Sequence, residues 1–188
     1  GSLLWTHFGI SGPVVMDASR FWCSAREQGE AVELYGNFLP GRTMEQAREW
    51  FLAQAAQYPR RSLLKLLMEV LPERCAEALC RHVEGDPQQA CAQVSRNIRD
   101  RLLSALTRFR FPVVRDRGWN FAEVTAGGIP LEEVNFRTME SKVVPGLYLV
   151  GEVLDCDGRI GGFNFQWAWA TGRLAGRAAA VNPSPHYS

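Results

Sequence analysis

Leu147-Tyr148-Leu149-Val150 is a wholly apolar run set off by the turn Pro145-Gly146, and it leads directly into Gly151-Glu152. After a short loop, Gly161 and Gly162 stand side by side at the head of a helix-forming stretch from about Asn164 to Val181. A short apolar run bounded by turn signals reads as a buried strand, so the segment predicts a strand, a loop and a helix in succession. Ligands in open α/β folds bind beyond the carboxyl ends of such strands. Gly151 permits close backbone approach, and the Glu152 carboxylate can accept a hydrogen bond from a polyol or ribose hydroxyl. Gly161 and Gly162 leave the first amides of the helix free, and those donors with the helix dipole favour electron-rich or anionic atoms. The competing reading is a plain strand–turn–helix joint in which the glycines only relieve crowding.

The rest of the chain supplies the setting. Leu3 to Gly9 is an apolar and aromatic run with strand character, and Ser11-Gly12-Pro13 predicts a helix start with Ser11 as cap and a first-turn proline. Val14, Val15, Ala18 and Trp22 continue that helix until Gly29, and Val32 and Leu34 mark a strand-like run that ends at Pro40-Gly41. From Thr43 to Thr107 the pattern is helical throughout. Thr43-Met44-Glu45-Gln46 is a capping box, Pro59 ends the first helix, and a second runs from Leu63 to Leu71. Pro72 opens a third that Gly85 closes, and Asp86-Pro87 opens a fourth through Leu106, with a break at Ser95 as an alternative. Phe109 to Arg115 and Trp119 to Thr125 return to strand patterning around the turn Asp116-Arg117-Gly118, so the helical block reads as an excursion out of a sheet. The tail from Pro183 to Ser188 is expected to fray.

Composition narrows the function classes. A chain of 188 residues with 46% hydrophobic and 22% charged residues is ordinary for a globular protein, and a net charge of +1 provides no global field for nucleic acid or an anionic membrane. No apolar stretch approaches the roughly 20 residues needed to span a bilayer. The five cysteines, Cys23, Cys75, Cys80, Cys91 and Cys156, show no CxxC spacing, so no metal site is expected and they read as free thiols of a cytoplasmic protein.

Three ordered stretches carry a resemblance: Thr6-His7-Phe8-Gly9-Ile10-Ser11-Gly12-Pro13, Val124-Thr125-Ala126-Gly127-Gly128, and Thr138-Met139-Glu140-Ser141-Lys142 running on to Gly151-Glu152 and Gly161-Gly162-Phe163-Asn164. The last resembles the second FAD-binding motif of the two-dinucleotide-binding, glutathione reductase-like flavoproteins, with Glu152 where the pattern has aspartate. Together the three resemble a bacterial family of NAD(P)/FAD-dependent flavoproteins of aminoacetone-oxidase type. The resemblance implies a mixed α/β fold (α+β as a fragment), in which an FAD-binding domain is split by a small β-barrel and a helical unit. Residues 1–42 and 108–123 would then be the β-rich, barrel-like portion with one helix, 43–107 the helical insert, and 124–188 the C-terminal part of the FAD-binding domain. It also implies FAD as cofactor, with NAD(P)H as an electron donor, and an oxidoreductase acting on a small organic substrate. Cofactor contacts are expected at Gly127, Gly128, Gly151, Glu152, Asp157, Gly161, Gly162, Phe163, Asn164 and Phe165. No GxGxxG follows a strand anywhere in the sequence. The pyrophosphate-holding half is therefore expected in an N-terminal part outside this chain, and the chain alone is expected to bind FAD poorly.

Several residues keep two readings. Gly127-Gly128 is a cofactor contact or a plain turn. Asp155 and Asp157 approach the flavin or solvate a loop. His7 is a proton carrier or, on the reading preferred here, a structural histidine, so no catalytic acid or base is assigned. Cys156 lacks a resolving partner, and Phe165, Trp167 and Trp169 read as packing against a sheet. Arg96, Arg99, Arg101, Arg108, Arg110, Arg115 and Arg117 are diluted by Asp100 and Asp116 and read as a solvated surface rather than a nucleic-acid site. Two rivals stay open: a non-catalytic helical and β interaction module, and an RNA-associated flavoprotein. Exposed apolar surface is expected to make the chain self-associate.

Overall fold

The computed structural model describes residues 1–181, so the tail expected to fray lies outside the described residues. The fold is mixed α/β. The chain divides into two compact units, one of Val32–Val114 and one assembled from Gly1–Ala31 with the chain from Arg115 onward.

The N-terminal segment is a tight hairpin followed by a helix. Strand β1 (Leu4–Thr6) pairs antiparallel with β2 (Gly9–Ser11), with Trp5 opposite Ile10, and α1 follows at Pro13–Glu27. The expected cap at Ser11 is not used: Ser11 is the last residue of the β2 ladder opposite Leu4, so Gly12 caps the helix without a side chain. Pro13 occupies the first turn, where no N–H is needed. Gly29 stops α1 in the left-handed region, its amide donating to Arg26 O and that of Glu30 to Ala25 O.

In the second unit β3 (Leu34–Gly36) pairs antiparallel with β4 (Phe109–Phe111), Tyr35 opposite Arg110, and the whole helical block lies between these paired strands. Helix α2 (Met44–Gln57) starts in the capping box read from the sequence: Thr43 Oγ1 accepts from Gln46 N at 3.2 Å and Gln46 Oε1 accepts from Thr43 N at 2.8 Å. It ends at Gln57, because Tyr58 precedes a proline and is driven out of the α region. Helices α3 (Leu63–Leu67), α4 (Glu73–His82) and α5 (Arg96–Thr107) follow.

Two helices are shorter than the periodicity predicts. Helix α3 stops at Leu67 rather than Leu71, and residues 86–95 form no α-helix, only a 3-10 turn at Cys91–Gln93. The amides of Leu63 and Leu64 donate to Gln89 O and Pro87 O, and Cys91 N donates to Arg61 O. The backbone that would have built the first half of a long fourth helix is thus bonded to the start of α3. Ser95 then caps α5 through Ile98 N at 3.3 Å, so the break at Ser95 is the reading that holds.

This unit owns the main core. Phe51 of α2, Leu63, Leu66 and Leu67 of α3, and Leu102, Leu103 and Leu106 of α5 are all at 1% exposure or less. Each such side chain contributes about 1.5–3 kcal/mol relative to an exposed one. Cys80 and Cys91 are buried among them as free thiols, and burial pushes the Cys80 thiol up to about 11.

Past the ribbon the strand predictions give way. The strand at Phe109 ends at Phe111, because Pro112 has no amide for a ladder. Trp119–Phe121 is a 3-10 turn rather than a strand. Asp116 Oδ1 accepts from Gly118 N at 2.6 Å and Gly118 is left-handed, which fixes a tight bend where extended backbone was expected. Among the described residues Leu147 to Val150 finds a single bridge, Tyr148 with Glu140, so it is extended without being a strand. The chain closes with α6 (Phe163–Val181). The core of this unit is small, Val134, Met139, Leu154 and Ala175, with Ile129, Tyr148, Leu149 and Trp167 against it.

Truncating Leu103 to alanine is expected to cost about 2–5 kcal/mol of stability in urea unfolding, whereas Thr43→Ala, which removes only the cap, should cost about 1 kcal/mol. Equal effects of the two would contradict the packing described.

Candidate functional site

The predicted site residues cluster around a loop that begins by docking onto α6. Gly151 is buried and left-handed at φ +69, opening a 3-10 turn, Gly151–Val153. Its amide donates to Thr171 Oγ1 at 3.0 Å, and its carbonyl accepts from the indole Nε1 of Trp167 at 3.1 Å. A Cβ at this position would lie 3.5 Å from that of Ala168. Thr171, 1% exposed, donates its own proton to Trp167 O at 2.7 Å. Trp167 and Thr171 lie one helical turn apart on one face of α6, and this pair anchors the turn. The sequence reading missed Thr171. A lone hydroxyl among the alanines, tryptophans and leucines of α6 was the signal that could have found it.

Glu152 is exposed, and its Oε1 accepts from Thr125 N at 2.7 Å. That bond brings the Val124–Gly128 motif to the Gly151-Glu152 turn across 27 residues of sequence. The junction is sealed by backbone: Ile129 N donates to Val153 O at 2.9 Å, and Asp155 N to Ile129 O at 2.9 Å. Gly128 sits so close that a Cβ would meet Val153 O at 2.5 Å, at a φ of +135. Gly127, also left-handed, faces open space. The structure therefore unites Gly127, Gly128, Gly151 and Glu152. Glu152 Oε2 takes no hydrogen bond from the described residues.

The second half of the loop leads to the head of α6. Asn164 Oδ1 accepts from Gly158 N at 2.7 Å while its Nδ2 donates to Gly158 O at 3.0 Å, so the side chain stands in for a paired strand and closes residues 158–164. Asp157 forms an ion pair with Arg20, which also donates to Asp157 O at 3.1 Å, and Asp17 Oδ1 accepts from Ile160 N at 2.8 Å. Asp17 and Arg20, one turn apart on α1, thus clamp the loop; neither was among the predicted site residues. Gly161 and Gly162 are left-handed. The amides of Phe163, Asn164 and Phe165 have no acceptor among the described residues, which leaves the positive end of a 19-residue helix open.

The aromatic residues divide. Trp167 packs into the small core as expected, but Phe165 and Trp169, at 68% and 69% exposure, stack on each other with centroids 6.2 Å apart instead of packing on a sheet. Phe163 is likewise exposed. His7 lies in the β1–β2 turn, exposed and edge-on to Phe8, and Cys156 is half-buried and free. Asp155 is exposed and contributes its amide to the Ile129 bridge.

Comparison with known proteins finds two matching family descriptions: "HI0933-like protein barrel and H2TH domain" over residues 1–124, and "HI0933-like protein Rossmann domain" over residues 102–178. Among relatives, the ribosomal RNA dihydrouridine synthase of Escherichia coli (strain K12) is 40% identical over 90% of this chain and 40% of its own length. The Haemophilus influenzae protein of the same name is 36% identical over the same shares of both chains. The 3-dehydro-bile acid delta(4,6)-reductase of Clostridium scindens is 33% identical over 97% of this chain and 45% of its own. The chain thus spans less than half the length of these relatives, whose names are not those of aminoacetone oxidases.

Gly128→Ala is expected to destabilise the chain by about 1–3 kcal/mol, since it adds both a clash and backbone strain. Gly127→Ala should cost visibly less, because only the strain applies. Thermal melts of the two variants side by side check the order, and the reverse order would contradict the junction.

Proposed function

The chain belongs to the HI0933-like family, and from that membership we propose that it is the C-terminal part of an FAD-dependent oxidoreductase that reduces a carbon–carbon double bond of an unsaturated ring. The observation that carries the cofactor reading is the open head of α6 behind Gly161-Gly162, with three unpaired amides and a glycine-lined approach. Such an end suits the electron-rich pyrimidine edge of a flavin. The free Glu152 Oε2 suits a hydroxyl of the flavin's sugar-like chain, while Oε1 stays on Thr125. The Asn164 side chain supports the site by shape alone, since both its polar atoms are engaged by Gly158, and only the residue's backbone amide is left for the ligand. Asp157, paired with Arg20, likewise holds the loop rather than the ligand. When bound, FAD would supply hydride transfer, with NAD(P)H as the reductant.

The substrate reading comes from the relatives' names. Dihydrouridine is uridine with two hydrogens added to a ring double bond, and a delta(4,6)-reductase acts on ring double bonds as well. Two of the three relatives are named for ribosomal RNA, so RNA uridine is the substrate we favour, although the net charge of the chain had argued against nucleic acid. A steroid-like small molecule is the second reading, favoured by the third relative.

The pyrophosphate-binding half is proposed to lie in the part of the relatives' length that this chain does not span. In support, most of the exposed large hydrophobic side chains belong to the Rossmann-bearing unit, among them Trp119, Phe136, Phe163, Phe165 and Trp169. Apolar surface on that scale marks a docking face.

Absorbance and fluorescence quenching should show a yellow protein when the chain is extended to the relatives' full length and weak flavin binding by the 188-residue chain alone. In the extended protein, Glu152→Ala should weaken binding about 5–10-fold, the worth of one hydrogen bond. If neither form takes up flavin, the reading fails. Light scattering of the chain alone should report self-association, and a monodisperse monomer would count against the docking face.

A further inference from the structure

Helix α5 begins against the usual electrostatic rule. Acidic residues are favoured in a first turn, yet α5 has none there and opens with Arg96. Arg96 Nε lies 3.6 Å from Asp100 Oδ2, while Arg48 Nη2 from α2 and Arg99 Nε lie 3.3 and 4.0 Å from Asp100 Oδ1. Three guanidiniums therefore share one carboxylate, leaving a local surplus of two positive charges beside the positive end of a helix. The three are close enough for ion pairing but poorly aligned for hydrogen bonding: Arg48 Nε, Arg99 Nε and Asp100 Oδ1 are buried without a hydrogen-bond partner. The backbone amides of Arg96 and Asn97 also lack an acceptor among the described residues, because Ser95 serves only Ile98 N and Arg99 N. Donors and charge are in excess at one place.

The other arginines of this region differ. Arg101 is paired with Glu84, Arg110 with Glu33, and Arg108 lies over the Tyr35 ring. Arg42, whose Nη1 is also buried without a hydrogen-bond partner, lies over the Trp50 ring, whereas Arg48, Arg96 and Arg99 gather surplus charge and unspent hydrogen bonds at one point. The guanidiniums converge on the Asp100 carboxylate, and the unspent Arg48 Nε and Arg99 Nε are buried, so an outside anion meets the exposed Arg96 side chain, the outer edge of Arg48 and the free helix amides, which suit the oxygens of a phosphate.

We propose that Arg48, Arg96 and Arg99, held in place by Asp100 at the start of α5, seat a backbone phosphodiester of the RNA substrate. The assignment rests on the RNA reading given above and extends it to a contact face on the Val32–Val114 unit. Asp100 is the positioning residue of the group: it gathers the guanidiniums and keeps them from dispersing into solvent.

The test is fluorescence anisotropy of a labelled, uridine-containing single-stranded RNA titrated with the full chain over a range of salt concentrations. Arg96 is the residue to change, since its side chain is 81% exposed and removing it leaves the core intact. Arg96→Glu places an acid where the helix dipole favours one, which offsets the missing ion pair, so the melting temperature should hold. RNA affinity should nevertheless fall, and the slope of log affinity against log salt should drop by about 0.7 for each phosphate that is no longer neutralised. Arg96→Lys should restore most of the slope. If Arg96→Glu binds RNA with the wild-type slope, the phosphate seat is wrong and the reductase reading stands. If the wild-type chain shows no salt-dependent RNA binding, both the seat and the RNA substrate fail, while the flavin measurement still judges the cofactor reading separately.

Discussion

Everything in the candidate site hangs on how Gly151 meets α6. A buried left-handed residue with both backbone groups satisfied by one helix is a rigid joint: Thr171 takes the amide, and the Trp167 indole gives to the carbonyl. If either partner were removed, a buried backbone group would be orphaned at a cost of about 1–3 kcal/mol. From that joint the direction of the next residues is set. Glu152 reaches Thr125, and the Val153–Asp155 backbone receives Gly128-Ile129. The loop to Gly161-Gly162 follows, held from the side by Asp17 and Arg20. A site assembled from turns is thereby referred back to a regular element.

Much of this was legible in the residues because the signals were local. The Thr43 capping box, the stop at Gly29 and the double glycine before α6 are short-range patterns with a backbone mechanism, and the structure uses each as read. What could not be read was long-range. Whether Leu147 to Val150 becomes a strand depends on a neighbour to pair with, and one bridge is all it finds among the described residues. The stretch before Ser95 has helical propensity but spends its carbonyls on the start of α3. Asp17, Arg20 and Thr171 are ordinary polar residues of two helices in the sequence and become parts of the site only through the fold. Asn164 and Asp157 do lie along the loop, yet their side chains are committed to the protein itself.

The two units differ in the source of their order. Val32–Val114 has a leucine core that closes on itself, with the long connection from α4 to α5 bonded to the start of α3. The other unit buries few hydrophobic side chains and is tied by side-chain-to-backbone bonds at particular points, Asn164 to Gly158 and Asp17 to Ile160 among them. Such bonds define geometry well and add little stability each. An architecture of this kind separates the task of staying folded from the task of shaping a binding surface.

The ribbon of β3 and β4 has a topological consequence. The helical block leaves the chain at Gly36 and rejoins it at Phe109, and these two residues are ladder partners. Once Val32–Val114 has folded, its entry and exit strands are side by side, and the connection between Ala31 and Arg115 behaves like a short loop. Each halving of effective loop length saves about 0.6 kcal/mol of closure entropy. The block therefore acts as a clasp for the rest of the chain. The discontinuous unit is thereby built from two stretches, Gly1–Ala31 and the chain from Arg115 onward, whose joining ends are brought to one point by the β3–β4 ladder.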